Sequence, residues 1–392
     1  MTRDSQMRAV PPRLDSTDLL RGAVMVLMAL DHVRDFFSNT GFTFDPTDLT
    51  RTNSPLFITR WVTHFCAPVF VFLAGTAAFL SGTRGKTKGE LSRFLLTRGL
   101  FLVILDPTVI RHSWFWDGNW KLTFGQVIWA IGWSMIALAV LIHLPRWAVG
   151  VFGVGMIATH NLLDPITPEQ LGIWGGLWKV LHVHGPVEPL PGVMFFAAYP
   201  LIPWIGVMAA GYAFGGLVQG ERSTRQRRLL TLGLTMTVAF IVLRAINGYG
   251  DPRPWSTQKD ATFTVLSFLN CTKYPPSLSF LLMTLGPAIT AMALFDRPLG
   301  TFARVFVVFG RVPMFFYLIH APFAHLLASV AAMGRYGPHA WNIDTFNPPA
   351  GYGYSLPIVY LVWAGVVIAL YFPCRWYAGV KQRRRDWWLS YL

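Results

Sequence analysis

Two side chains near the start of the sequence could act on one long ligand. Arg21 and His32 stand 11 positions apart, separated by a mostly apolar run. On an α-helix, at about 100° per residue, 11 residues make three turns plus roughly 20°, so both side chains lie on one face. At a rise of about 1.5 Å per residue they lie roughly 16 Å apart and cannot touch. The spacing therefore predicts that they contact the two ends of one extended molecule.

The chemistry of this pair suits an acyl-CoA donor. An arginine can hold a phosphate or polarise a carbonyl, and a histidine can act as general base on a hydroxyl or an amine. Asp31 points about 100° away from His32 on a straight helix. Asp35, at i+3, is better placed to orient that imidazole. A structural alternative stays open, in which Arg21 reaches the inner membrane interface and His32 caps the outer end of the helix.

A second histidine competes with His32 for the role of base. Arg60 and His64 share a helix face at i and i+4, and His64 lies at about the depth of His32. Pro68 predicts a kink that frees a nearby carbonyl. Arg60 is a candidate for binding the substrate, whereas His64 is either a base or a buried group that pairs two helices.

The segment before the eighth apolar run offers an anion-binding group. It reads Lys273-Tyr274-Pro275-Pro276-Ser277. A lysine beside the positive end of a helix can hold an anion or a developing oxyanion, although prolines there are also ordinary at a helix start. We take Lys273 and Tyr274 as candidates for binding the substrate.

The ninth apolar run combines a predicted helix break with polar side chains. Gly310 and Pro313 predict the break, Arg311 lies in its inner half, and Tyr317 and His320 share a face at i+3. Arg311 is a candidate for binding the acyl-CoA, and His320 for binding the substrate.

The elements that must position these residues are membrane helices. Of the 392 residues, 53% are hydrophobic and only 13% are charged, against about 25% in a soluble domain. A span needs about 20 apolar residues, and no apolar run alternates like a strand. We therefore predict an all-α, polytopic membrane helical bundle of about ten transmembrane helices. The apolar segments are 18–38, 56–81, 91–110, 125–144, 147–163, 193–218, 229–247, 276–295, 304–332 and 355–375.

Charge sets the expected orientation. The chain has 33 Lys and Arg against 19 Asp and Glu, a formal net charge of +14, and the basic residues cluster after every second apolar segment. This is the positive-inside pattern, so we expect both termini in the cytoplasm and no nucleic-acid partner. The start, Met1 to Asp18, is polar and predicts no cleavable signal peptide. We expect one integral-membrane domain over 1–392, with a cytoplasmic segment 1–17 and a basic, aromatic cytoplasmic tail 376–392.

The same residues resemble a known family. Leu14 to Gly22, the run to Asp31-His32, and Ala67 to Gly75 resemble the heparan-α-glucosaminide N-acetyltransferase catalytic-domain family. Its bacterial members are similar at 273–277, 310–320 and 384–388, so the likeness covers nearly the whole chain. The arginine, ten residues, histidine spacing is also similar to that of membrane acyltransferases that acetylate bacterial surface glycans. Both groups belong to a broader transmembrane acyl-transferase superfamily.

The resemblance implies a bundle of about ten helices that moves an acyl group from cytoplasmic acetyl-CoA or another acyl-CoA to a glycan hydroxyl or amine on the outer face. It implies Arg21 as the donor-binding residue and His32 as the catalytic histidine. In the lysosomal enzyme of the family, the functional histidine lies in the loop before the second span. The loop from Ser38 to Pro55 has no histidine here, so His32 and His64 both stay candidates. The expected location is a bacterial cytoplasmic (inner) membrane, with a cell-envelope glycan or lipid-linked sugar as acceptor.

Two other functions stay open at this point. The protein could be a transporter or flippase for an anionic lipid or sugar, with a proton relay of histidines. It could also be an accessory membrane subunit whose polar residues lock helices together. Three cysteines, Cys66, Cys271 and Cys374, fit no metal spacing, and we expect no metal cofactor. A homodimer is one arrangement compatible with these features.

Overall fold

A computed structural model describes residues 14–41, 43–118, 120–342, 348–384 and 386–391. Most of the expected cytoplasmic N-terminal segment, residues 1–13, lies outside the described residues, as does Arg385 of the expected tail. All candidate site residues lie inside them.

Helices are present in all ten apolar segments. Along the described residues they are α1 (Asp15–Phe37), α2 (Ser54–Thr63), α3 (Cys66–Gly82), α4 (Lys88–Leu105), α5 (Arg111–Trp114), α6 (Val127–Leu141), α7 (Arg146–Thr159), α8 (Gly175–Leu181), α9 (Leu201–Phe214), α10 (Arg222–Ile246), α11 (Ala261–Leu269), α12 (Leu278–Phe295), α13 (Thr301–Arg311), α14 (Pro313–Tyr336) and α15 (Leu356–Arg383).

Several of these helices are suited to a membrane. Within the described part of the chain, five helical stretches are long and apolar enough to cross a bilayer: 54–82, 222–246, 278–295, 313–336 and 356–383. A sixth crossing follows if the pair 146–163 and 168–181, bent by 111°, is one broken span. The prediction of a helical membrane protein is confirmed, whereas the count of ten spans and the cytoplasmic placement of the termini stay predictions.

A small sheet corrects the sixth predicted span. Strands β1 (Leu122–Gly125), β2 (Gly185–Leu190) and β3 (Val193–Ala197) form it, with β3 in the centre, antiparallel to β2 and parallel to β1. The prediction of one helical span over 193–218 was wrong at its start, because the helix begins at Leu201. By periodicity alone, a short apolar run fits a buried strand and a buried helix equally well. Here Gly192 (φ 75°) turns the chain into a strand.

The predicted break in the ninth segment occurs, and a two-residue interruption lies near the kink predicted in the second segment; both depend on proline. The ninth segment divides at Val312, directly before Pro313. The second segment divides at His64 and Phe65, rather than at Pro68 itself. Because Pro68 has no N–H, it cannot donate to the carbonyl of His64 four residues earlier, which places the break there.

Helix α1 lies in the centre of the bundle. It packs against α2, α3, α12, α13, α14 and α15. Its approach to α13 is close because glycines meet there: a Cβ on Gly22 would overlap the carbonyl of Phe306, and one on Gly310 would overlap the carbonyl of Asp18. The two backbones are therefore in direct contact in the N-terminal part of α1.

We predict that Gly310→Ala lowers thermal stability, because the added methyl forces α1 and α13 apart. Overpacking of this kind costs about 1–3 kcal/mol. The matched control is Gly365→Ala in α15, whose Cβ would meet no described atom within 4 Å. Replacing that helical glycine should leave the melting temperature unchanged or raise it. Equal melting temperatures for Gly310→Ala and the wild type in detergent would contradict the close contact.

Candidate active site

A cavity of about 340 Å³ lies beside the N-terminal half of α1. After the predicted orientation, we call it the inner cavity and this end of α1 the inner end. Four cationic side chains line it, from α1, α4, α13 and α15: Arg21, Arg98, Arg311 and Lys381. The rest of its wall is mainly apolar, with Met25, Leu102, Ile131 and Met135 among the lining residues. This combination suits a ligand with an anionic end and an apolar arm.

The two predicted donor-binding arginines lie on this one cavity. Arg21 donates to Asp18 at 3.2 Å and to the carbonyl of Gly310 at 3.1 Å, across the glycine contact between the helices. Arg311 lies 3.5 Å from Asp15 and keeps about a third of its side chain exposed. Both arginines thus line one cavity, and their role in binding a donor stays a prediction.

An outer cavity of about 620 Å³ lies at the other end of α1. It brings together five of the predicted site residues: His32, Asp35, Arg60, Lys273 and Tyr274. Aromatic rings form much of the remaining wall: Trp114, Phe115, Phe124, Phe196 and Tyr199. Flat rings beside charged groups form a surface to which a sugar could bind.

The two cavities approach each other at a pair of stacked histidines. Nδ1 of His32 lies 2.7 Å from Nε2 of His320, with the ring centroids 4.8 Å apart. Tyr317 lines the inner cavity, and its ring centroid lies 6.5 Å from that of His32, which lines the outer one. His32 and Tyr317 therefore stand at the junction between the cavities.

The partners of His320 fix the tautomers of both rings. Nδ1 of His320 lies 2.9 Å from the carbonyl oxygen of Phe316, which can only accept, so this nitrogen carries a proton. In the neutral ring, Nε2 is then an acceptor, and Nδ1 of His32 donates to it. The lone pair of a neutral His32 is consequently on Nε2, the nitrogen that a general base needs.

The carboxylates near His32 have other partners. Asp35 accepts from Arg34 at 2.5 Å, and the polar partner of His32 is His320 rather than Asp35. The pairing with His320 is favoured because α1 and α14 pack side by side at this depth. The prediction that Asp35 orients His32 therefore finds no support in the hydrogen-bond pattern.

Asp31 holds Arg60 in place. Its carboxylate accepts from Arg60 at 2.5 Å, from Arg34 at 3.1 Å and from the hydroxyl of Thr63 at 3.0 Å. These bonds join α1 to α2 at the edge of the outer cavity. Arg60 is thus held in an ion pair with Asp31, whereas Lys273, another cation that lines this cavity, lies beside Tyr274.

His64 is placed differently from His32. It lies at the break between α2 and α3, is buried, and packs with its ring centroid 5.3 Å from that of Phe280. Within the described ranges, its Nδ1 has no hydrogen-bond partner, and His64 is absent from the lining of both cavities. The geometry therefore favours His32 as the histidine that a substrate can reach.

Lys273 and Tyr274 lie in the segment before α12. The ammonium of Lys273 stands 5.1 Å from the centre of the Tyr274 ring. Burial raises the pKa of the Tyr274 phenol, but the charges of Lys273 and Arg60 outweigh it and hold the pKa below its usual value. This part of the cavity is therefore electropositive, as a site for developing negative charge must be.

Trp114 and Tyr199 are site residues that the sequence pattern did not single out. Trp114 stands edge-on to His32, with centroids 4.8 Å apart, and Tyr199 packs edge-on against Tyr274 at 5.2 Å. Trp114 lies in the run Ser113 to Asp117, whose tryptophans resemble ordinary interfacial anchors. The partners of both rings are distant in sequence, so no local signal could identify them.

Two comparisons with known proteins bear on this site. Residues 13–245, more than half of the chain, match the family described as heparan-alpha-glucosaminide N-acetyltransferase, catalytic. The match contains Arg21, His32 and His64. A phosphatidate cytidylyltransferase of Pseudomonas aeruginosa is 28% identical over 142 residues, which cover 31% of this chain and 52% of that protein. The chain thus matches about half the length of this curated relative.

We predict that Asp31→Asn destabilises the protein by on the order of 3 kcal/mol. Loss of the Asp31 charge leaves the guanidinium of Arg60 without its ion-pair partner inside the protein. The double variant Asp31→Asn with Arg60→Gln should be less destabilised than the sum of the two single variants. Unfolding of the purified variants in mixed detergent micelles would measure this. Additive effects would show that Asp31 and Arg60 do not depend on each other.

Proposed function

Because this chain belongs to the heparan-alpha-glucosaminide N-acetyltransferase catalytic family, we propose that it is a membrane acyltransferase that uses acetyl-CoA or another acyl-CoA as donor. The acyl group passes from the inner cavity to a hydroxyl or amine of a glycan in the outer cavity. The observation that carries this proposal is the approach of the two cavities at His32. A donor and an acceptor bound from opposite sides could meet there.

The inner cavity supports the donor assignment. Coenzyme A carries phosphates at one end and a long, mostly apolar arm that ends in the thioester. Arg21, Arg98, Arg311 and Lys381 offer charge-assisted hydrogen bonds to the phosphates, and the apolar wall fits the arm. These cations lie on the side that the positive-inside pattern assigns to the cytoplasm, where acyl-CoA is found.

The reaction needs one base and one group that stabilises an oxyanion. Nε2 of His32 takes the proton of the acceptor hydroxyl or amine, and the oxygen or nitrogen attacks the thioester carbonyl carbon. The tetrahedral intermediate then expels the CoA thiolate as the C–S bond breaks, and the imidazolium returns the proton to that thiolate. Lys273 offsets the negative charge on the carbonyl oxygen.

His320 acts on this reaction as a positioning residue. Its acceptor nitrogen holds Nδ1–H of His32, which keeps the lone pair on Nε2 and limits rotation of the ring. When His32 becomes an imidazolium, the same hydrogen bond becomes charge-assisted and stronger. His320 therefore stabilises the protonated base without touching the substrate.

The outer cavity supports a carbohydrate acceptor. Its aromatic walls can stack on sugar rings, and its carboxylates and Lys273 can bind hydroxyl and amino groups. We propose a cell-envelope glycan or a lipid-linked sugar, acylated on the outer face of a bacterial cytoplasmic membrane.

We predict that His32→Ala reduces release of CoA from acetyl-CoA by at least about 100-fold, because general-base catalysis contributes about 10²–10⁴-fold. His64→Ala should retain most of the activity. The assay uses purified protein in nanodiscs, labelled acetyl-CoA and an extract of envelope glycans. A loss confined to His64→Ala would assign the base to that histidine. If wild type and both variants release no CoA yet move a labelled lipid or sugar in proteoliposomes, the transporter interpretation replaces the enzyme.

We also predict that Arg21→Ala weakens binding of CoA roughly 10- to 100-fold, the loss of one or two charge-assisted hydrogen bonds. Arg297→Ala is the matched control, since Arg297 is exposed and lies outside the lining of the described inner cavity. Isothermal titration of CoA into detergent-solubilised protein measures both. Equal affinities for Arg21→Ala and the wild type would remove Arg21 from the donor site.

A further inference from the structure

A cluster of two histidines and a carboxylate lies apart from the acyl-transfer site. His160 begins a short 3₁₀-helix after α7, Asp164 follows that helix, and His182 follows α8. One ligand atom from each of the three lies within 4.8 Å of the other two. No other such group of histidine, cysteine or acidic ligands occurs among the residues that the structure describes.

Three imidazole nitrogens of this cluster lack hydrogen-bond partners among the described residues. His160 and His182 are 2% and 1% exposed. Within the described part of the chain, neither ring nitrogen of His160 makes a hydrogen bond, and neither does Nδ1 of His182. The carbonyl of Pro276 faces the His160 ring without hydrogen-bond geometry. Buried imidazole nitrogens without partners are costly, so these nitrogens are available to bind a ligand.

The surroundings hold the three side chains in position. Nε2 of His182 lies 3.0 Å from Oδ1 of Asp164, and the amide of Asn161 donates to Oδ2 of the same carboxylate at 2.8 Å. Oδ1 of Asn161 accepts the backbone N–H of Leu278 at 3.0 Å, which joins the cluster to the start of α12. The Trp178 ring packs against His182 at 5.1 Å. Such support of a ligating carboxylate by a neighbouring amide is common at metal sites.

We propose that His160, Asp164 and His182 bind Zn²⁺. Imidazole and carboxylate are the ligands that zinc takes at about 2.0–2.2 Å, in tetrahedral geometry. Ligand atoms around such an ion lie roughly 3.3 Å apart. The widest pair in this cluster therefore has to close by at most about 1.5 Å to ligate one ion. The fourth position is left for a water molecule.

The ion would fix the outer wall of the acceptor cavity. It ties residues 160–164 to His182, and β2 begins at Gly185, three residues later. β2 pairs with β3, which leads into Ala198 and Tyr199 of the outer cavity. In this arrangement the zinc holds residues 160–164 and His182 together, and its three ligands are absent from the lining of both described cavities. The effect of zinc on binding of the acceptor rests on the proposed function, whereas the binding of zinc itself does not.

The test uses the full chain, purified through a tag without histidines, stripped with a chelator and then equilibrated with Zn²⁺ or Co²⁺. We expect one zinc per chain by elemental analysis, visible d–d absorption bands with Co²⁺, and a rise in melting temperature with zinc. His160→Ala and Asp164→Asn should lose all three signals. His339→Ala, which removes an exposed histidine elsewhere, should keep them.

Two further measurements keep the result independent of misfolding. Zinc should raise the melting temperature of the wild type but not that of His160→Ala, and this comparison holds whatever stability the loss of the buried ring costs the metal-free variant. Asn161→Ala should retain the ligands but bind zinc about 10- to 100-fold more weakly. Wild type that holds no zinc after gel filtration, or equal zinc content in wild type and His160→Ala, overturns the site. Binding of CoA at the inner cavity is measured separately, so failure of the zinc site leaves the acyltransferase proposal untouched.

Discussion

The cost of placing charge inside a membrane determines the arrangement of this molecule. Helix α1 carries acidic and basic residues at both ends, and ionisable side chains at bilayer depth must face protein or water. Six other helices enclose α1, and the contact of Gly22 and Gly310 brings α13 close enough to cover its inner end. Enclosure does not fill the space completely. The two cavities are the places where the charged ends of α1 meet open volume rather than side chains.

The charged side chains at the two ends of α1 are stabilised in different ways. At the inner end, Arg21 donates a hydrogen bond to the carbonyl of Gly310, in the region where the glycines bring α1 and α13 together. The close packing of the two helices and the hydrogen bonding of Arg21 therefore depend on the same contact. At the outer end, Asp31 gathers Arg34, Arg60 and Thr63 into a network that neutralises charge and ties α1 to α2. His32, which follows Asp31 at the outer end, belongs to neither network. Its hydrogen bond to His320 leaves Nε2 of His32 unprotonated, and His32 lines the outer cavity.

Sequence reasoning predicted features that lie within one helix, and it missed contacts between segments that are distant in sequence. The placement of Arg21 and His32 on one face, and the break before Pro313, follow from local periodicity and backbone chemistry. The hydrogen bond between His32 and His320 joins residues 288 positions apart, and nothing in either segment encodes it. The same holds for His160 and His182, whose separation of 22 residues matches no familiar metal-ligand spacing, and for β3, whose apolar letters suit a helix equally well.

The direction of hydrogen bonds through the histidine pair separates an enzyme from a proton carrier. A relay needs each member to pass a proton on to a group that can accept and release it. Here the series runs from His32 to His320 and ends at the carbonyl of Phe316, a group that accepts a hydrogen bond but takes no proton. The pair can therefore orient a base and stabilise its charged form, yet it offers no exit for a proton along α14. This argues for a site where the proton leaves with a product, as it does when a thioester is cleaved and its thiol departs.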